Sequence, residues 1–199
     1  VSSLGMAVMV QAKVGLGPWS VLQQGMSLRT GRTYGTASAI AGAAAILTAV
    51  LFGESFGLGT IINIAGCAVI IDAIQAAHLI PQMHGLVSGI AMLIGGLELL
   101  ALGTWLYMKS ALGSGPRDAL MVALARKFGR SAGACRAVVD VLVTVIGFFL
   151  GGPVGVGTII SAVGLGPLIN LNFAAVRFKP AEVHQENAAE TIARIIGKR

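Results

Sequence analysis

The chain has 199 residues, of which 55% are hydrophobic and only 11% charged, and its mean hydropathy is +0.84. Soluble domains carry about 25% charged residues, so this composition excludes an ordinary soluble domain and places the chain in a lipid bilayer. The formal charge of +6 comes from residues at the ends of apolar segments, where they set orientation in a membrane, and it does not point to a nucleic-acid partner.

Six apolar segments follow one another. The first runs from Val1 to about Ala12, the second from about Tyr34 to Phe52 and the third from Gly57 to Ile80. A short turn, Pro81-Gln82-Met83-His84, leads to the fourth, from about Gly85 to Met108. The fifth covers about Ala132 to Leu150 and the sixth about Val154 to Ala175. Between the first and second segments lies a shorter stretch, Pro18 to about Thr30, and between the fourth and fifth another, Pro116 to about Phe128. Each follows Gly-x-Gly, begins with proline and stops at a glycine, Gly31 or Gly129. Proline suits the first position of a helix and glycine the position past its end. Each stretch therefore reads as a helix of about 12 residues, too short to cross a bilayer, and so re-entrant or interfacial. Gln23, Gln24, Arg126 and Lys127 place at least part of these two helices in water. From Lys179 the chain is polar and reads as part of a solvated tail over 177–199.

The chain also repeats itself without a gap at a spacing of 98 residues. Gly15-Leu16-Gly17-Pro18 returns as Gly113-Ser114-Gly115-Pro116, and Gly57-Leu58-Gly59-Thr60-Ile61-Ile62 as Gly155-Val156-Gly157-Thr158-Ile159-Ile160. The match sets Val1 against Leu99, in the middle of the fourth segment, so the first segment reads as the second half of a span of about 20 residues. Residues 1–80 form repeat one, 81–84 a turn and 85–176 repeat two. Three spans is an odd number, so the second copy enters the membrane from the opposite face, giving inverted repeats. The expected fold is an all-α integral membrane protein of six spans. Lys109, Arg117, Arg126, Lys127, Arg130, Arg177 and Lys179 outnumber Lys13, Arg29 and Arg32 on the other side. This places both termini in the cytoplasm, with the chain multi-pass in a bacterial plasma membrane.

Gly-Leu-Gly-Pro-Trp at 15–19, followed by Ser20, Val21 and Leu22, resembles the GLGPWDVL signature of the YczE/YitT-like bacterial membrane proteins. Gly113-Ser114-Gly115-Pro116-Arg117-Asp118, the Leu150-Gly151-Gly152 turn and Gly155-Val156-Gly157-Thr158 resemble that family's second half. The resemblance covers nearly all of the chain except the tail. Ser20 stands where the family usually has aspartate, and the second copy keeps Asp118. The resemblance implies a polytopic inner-membrane protein. Some relatives are grouped with exporters of the novobiocin type, which implies transport without naming a substrate.

Charges inside a bilayer cost about 2.5–3.5 kcal/mol each, so those within the spans need a reason. Arg136 and Asp140, four apart, share a helix face and read as an ion pair facing the bundle interior, or as a gate or proton-coupled switch. Glu98, among Gly95, Gly96 and Gly103, reads as a proton carrier, as a partner of Arg136, or as a neutral acid bonded to backbone. Asp72 and Asn170 match across the repeat and suit interhelical hydrogen bonding. Gly15, Gly17 and Pro18, with Gly113, Gly115 and Pro116, form two turns whose following helices present free N–H groups, as anion and substrate sites do. Ser20, Arg117 and Asp118 lie in the first turns of those helices, where they suit either a pathway or capping, and Trp19 and Arg117 also suit interface anchoring.

His78 and His84 have no ligand-spaced partner, and no phosphate loop, nucleophile elbow or zinc motif occurs, so neither a metal, a cofactor nor an enzyme activity is expected. The glycine-rich faces suit a homodimer. The functional expectation is a small secondary transporter or exporter of a small molecule, with a pathway between inverted repeats. The alternative is a membrane scaffold or assembly factor for a biosynthetic or envelope complex.

Overall fold

The computed structural model describes residues 1–113 and 115–178; Ser114 and the tail from residue 179 on lie outside the described residues. Regular structure among them is helical: α1 (Ser2–Gln11), α2 (Pro18–Thr30), α3 (Tyr34–Leu51), α4 (Leu58–Ala76), α5 (Leu86–Lys109), α6 (Pro116–Phe128), α7 (Ala132–Phe149) and α8 (Val156–Ala175). The bounds of α2 and α3 recur in α6 and α7 at an offset of 98, and α8 starts 98 residues after α4.

The local reasons for these bounds are the same in both halves. Gly17 and Gly115 are extended, with ψ of 157° and 154°, so the chain enters each short helix at a proline. Gly31 and Gly129 end those helices in the left-handed region, with φ of 68° and 60°, where a side chain would be strained. Thr33 and Ser131 then cap α3 and α7, accepting from the N–H groups of Thr36 and Ala134.

Four helices, α3, α4, α5 and α8, are long and apolar enough to cross a membrane. α6 and α7 together would make a fifth, bent by 117° at its break, which is the shape of a broken span or a re-entrant loop. α1 is apolar but shorter. Large apolar side chains lie exposed along these helices, among them Leu47 and Leu51 on α3, Ile62 and Val69 on α4, and Ile159 and Val163 on α8. In water such surface would drive association; in a bilayer it meets lipid tails.

The helices pack as two groups, each drawing on both halves of the chain. α1, α4, α5 and α8 form one group, through α1–α5, α1–α4 and α5–α8 contacts. Its core is Met9, Ala12, Leu93 and Leu97. α2, α3, α6 and α7 form the other, through α2–α7, α3–α6, α2–α3 and α6–α7. Its core includes Trp19, Ala49, Leu120, Ala123 and Val143. Adding 98 to one half turns α2–α7 into α6–α3 and α1–α4 into α5–α8. The exchange holds at single atoms: Gly59 N–H donates to Leu112 O at 2.9 Å, and Gly157 N–H to Val14 O at 2.8 Å.

One crossing shows how glycine sets distance. A Cβ on Gly25 would lie 2.5 Å from the Gly147 carbonyl oxygen, and one on Gly147 2.5 Å from the Leu22 nitrogen, so α2 and α7 touch backbone to backbone. The matching crossing of α6 and α3 uses Ala123 and Ala49, both buried, and needs no such approach.

Candidate functional site

A cavity of about 140 Å³ lies between the two helix groups and takes lining from all eight helices. Its floor is where the two short helices begin. Gly17, Pro18 and Ser20 line it from α2, and Gly115, Pro116, Arg117 and Asp118 from α6. The two starts touch: the Arg117 guanidinium sits 5.1 Å from the centre of the Trp19 ring, a cation–π contact. Trp19 also donates from Nε1 to Asp140 Oδ1 at 3.1 Å. Arg136 Nε lies 3.7 Å from Asp140 Oδ2, one turn away on the same helix. Asp118 does not cap α6; it accepts from the Tyr107 hydroxyl. Nearby, Tyr34 donates its hydroxyl proton to Gln23 Oε1 at 2.8 Å.

Both carboxylates in the cavity are therefore engaged, and Arg136 faces one of them. Arg117 differs: among the described residues it has no ion pair within 4.0 Å. Ser161, on the α8 wall, is 3% exposed and its Oγ has no hydrogen-bond partner. It lies against Gly17, at the start of α2.

Beyond the residues that line the cavity, the ends of the surrounding helices differ, although the sequence offers the same parts at each. At one end, the Asp72 carboxylate of α4 accepts from Thr33 Oγ1 at 2.6 Å and from Gly35 N at 2.7 Å, tying α4 to the start of α3. Gly35 is pressed against Ala68 and Asp72 so closely that a Cβ there would lie 2.6 Å from the carboxyl carbon. Tyr34 packs there with Ala7 and Ile71. The residues 98 further on are Ser131, Gly133, Gly166 and Asn170. A Cβ on Gly133 or on Gly166 would meet no atom within 4 Å, Asn170 is exposed, and α7 and α8 lack the packing that joins α3 to α4. α8 also carries Pro167 inside the helix, next to Gly164 and Gly166, both of which face open space. Proline removes a hydrogen bond there and permits a bend.

Of the residues expected to line a pathway, Gly17, Pro18, Ser20, Gly115, Pro116, Arg117, Asp118, Arg136 and Asp140 meet at the cavity. Gly15 and Gly113 do not line it. They hold the entry turns against Gly155 and Gly57, with φ of 106° and 119°. Glu98 lies off the cavity and accepts from Asn172 Nδ2 at 2.8 Å, rather than meeting Arg136. Asp72 bonds Thr33 and Gly35 at the start of α3, while its mate Asn170 is exposed. Trp19 and Gln23, expected at the interface or in water, are buried at the cavity instead, because α2 lies against α7 and turns that face inward. Tyr107, Ser161, Thr33 and Tyr34 were not legible as site residues. Tyr107 lies 11 residues from Asp118, a separation that means nothing until the 109–115 turn folds the two helices together. Cys67 and Cys135 are free thiols. Among the described residues, no three His, Cys, Asp or Glu side chains come together as metal ligands would.

Residues 1–173 match a family described as "Family of unknown function (DUF6198)". An "Uncharacterized protein" of Haemophilus influenzae is 33% identical over 166 residues, covering 83% of this chain and 75% of that protein. The "Uncharacterized membrane protein YczE" of Bacillus subtilis is 26% identical over 186 residues, covering 88% of this chain and 86% of that protein. The "Uncharacterized protein YyaS" of Bacillus subtilis is 26% identical over 173 residues, with 85% of each covered. No solved structure matches. With a family match across most of its length and the YczE signature at the floor of its cavity, the chain belongs to this family of YczE-like membrane proteins.

Proposed function

We propose that the protein is a small secondary transporter or exporter of a small molecule, built from two inverted three-span repeats in a bacterial plasma membrane. The pathway is the cavity between the two helix groups. The observation that carries this reading is the broken symmetry of its ends: the Thr33–Gly35–Asp72 clasp is made, and its counterpart Ser131–Gly133–Asn170 is apart. In secondary transporters built from inverted repeats, one repeat rocks against the other so that the two ends open in turn, and the second state of this protein is the one in which its halves exchange these roles. In that state α7 closes on α8 and the Asp72 clasp opens. The bend offered by Gly164, Gly166 and Pro167 gives α8 the freedom to close. The bias of basic residues supports a cytoplasmic position for the start of α7, after Arg126, Lys127 and Arg130, so the present state is open inward and shut outward.

The test uses a natural reporter, Cys67, which lines the cavity on α4, with Cys135 replaced by alanine. A membrane-impermeant maleimide is added to either face of sealed vesicles. In the wild type Cys67 reacts from the cytoplasmic face. In Gly35→Leu, which cannot form the clasp, it reacts from the outer face. Failure to label from the outer face in that variant, in protein that still folds, rules out the pathway.

A further inference from the structure

The charged groups at the cavity floor point to the chemistry of what it binds. Two cations and two carboxylates face one another there: Arg117, Arg136, Asp118 and Asp140. Each carboxylate has a donor, from Tyr107 or from Trp19, and Arg136 lies beside Asp140. Arg117 is the cation of this set that is paired with neither carboxylate within 4.0 Å, although both lie close enough for their charges to act on it. The Arg117 guanidinium carries five N–H groups and no acceptor capacity, and it rests on a ring face with no ion pair within 4.0 Å among the described residues.

The helix starts add more donors. In α2 the first hydrogen bond is Val21 N–H to Gly17 O, and in α6 it is Ala119 N–H to Gly115 O. Pro18 has no N–H, so the groups left without a helical partner at the α2 start are those of Trp19 and Ser20. Neither start has a side-chain cap, and each adds the positive end of a helix dipole. The independent observation is Ser161. Its hydroxyl is buried, has no partner and is held against Gly17, where it meets the same space as the α2 start. A buried hydroxyl left without a partner carries a cost, which a ligand removes.

We infer that this floor is an anion subsite and that the transported molecule is a small organic acid. Its carboxylate is held by Arg117, Ser161 and the start of α2. The remaining wall, with Met9, Leu97, Met121 and Leu165, is apolar and takes the body of the molecule. Size follows from volume. A water-sized group needs about 10–15 Å³ of such space, so 140 Å³ admits on the order of ten non-hydrogen atoms. The inference rests on the transport reading for the word substrate, but the site itself does not.

The test compares three isosteric probes, benzoate, benzamide and benzamidinium, by thermal shift and calorimetry on the full chain in phospholipid-free detergent. Benzoate binds, and the neutral and cationic probes bind at least about tenfold more weakly, the effect of one hydrogen bond to a charged group. Arg117→Gln removes the preference for benzoate, and Ser161→Ala weakens benzoate several-fold while leaving the fold intact. If Arg117→Gln does not fold, Arg117→Lys, which keeps the charge and loses the fork, still weakens benzoate. Equal binding of all three probes, or preference for benzamidinium, overturns the inference. Stabilisation by phosphatidylglycerol vesicles but not by benzoate assigns the subsite to a lipid headgroup and also overturns it. The two proposals fail separately. Benzoate binding with Cys67 closed to the outer face in every variant removes transport and keeps the site; two-sided labelling without benzoate binding does the reverse.

Discussion

Gly35 and Gly133 occupy the same position in the two halves, and alanine placed at each gives a controlled test of the clasp. At Gly35 the new Cβ would lie 2.6 Å from the Asp72 carboxyl carbon, and nearer still to the Ala68 carbonyl oxygen, where ordinary contact begins at 3.4 Å. α3 and α4 must therefore part. Overpacking of this kind costs about 1–3 kcal/mol. Stretching the Gly35 N–H bond to Asp72 costs up to about 1.5–3 kcal/mol, the worth of a hydrogen bond to a charged group. Alanine in a helix returns about 1 kcal/mol. The closed end is thus weakened by about 2–4 kcal/mol, which shifts the balance of open and clasped states by roughly 30-fold or more. At Gly133 nothing lies within 4 Å, so alanine brings only its helix preference, up to about 1 kcal/mol of stabilisation. Outer-face labelling of Cys67 reads the difference, with melting temperature in detergent as a second measure. Gly35→Ala raises outer labelling and lowers melting, and Gly133→Ala does neither. Equal effects at the two glycines, or no effect at Gly35, would show that the Gly35–Asp72 contact does not hold this end shut.

The other predictions concern single side chains. Asp72→Asn gives the clasp the residue of its open counterpart; replacing two charged hydrogen bonds by neutral ones costs about 2 kcal/mol, and outer labelling of Cys67 rises. Pro167→Ala restores a helix hydrogen bond in α8, which raises the melting temperature and slows the appearance of outer labelling, because the bend is lost. Arg126→Gln breaks the 2.7 Å ion pair with Glu54; Arg126 is 61% exposed, but Glu54 is 18% exposed and its Oε2 is buried without a hydrogen bond, so melting falls by what about 1–3 kcal/mol would produce. Glu98→Gln keeps an oxygen for Asn172 and lies away from the cavity, so benzoate affinity stays within about twofold; a tenfold loss, the worth of about 1.4 kcal/mol, would place Glu98 in the path.

Much of this was legible in the sequence because its signals were local or repeated. The proline–glycine frame around α2 and α6 fixes both helices to the residue, since proline and the left-handed glycines act on the backbone at their own positions. The 98-residue repeat anticipates which helices correspond. What it does not convey is which copy packs on which: α2 lies on α7, across the repeat, and that crossing turns Trp19 and Gln23 inward. Periodicity on a 13-residue helix with few charges leaves its buried face open. Glu98 illustrates a second limit. A mid-span acid in an apolar segment reads as functional by cost alone, yet a neighbouring helix supplies Asn172, 74 residues away, as its partner. The asymmetry of the two ends was beyond reach, because Asp72 and Asn170 present nearly the same side chain to any reading of pattern. It is the packing of Gly35, and the space around Gly133, that separates them.

In the transport cycle proposed above, the two ends open and close in opposition. Spin labels at Arg32 and Ala77 report on the clasped end, and labels 98 residues on, at Arg130 and Ala175, on the open one; all four positions are exposed. Pulsed distance measurements on full-length protein in nanodiscs give two populations at each pair, and Gly35→Ala shifts weight toward the longer distance at the first pair and the shorter at the second. A single unchanging distance at each pair, or both pairs lengthening together, rules out opposed opening.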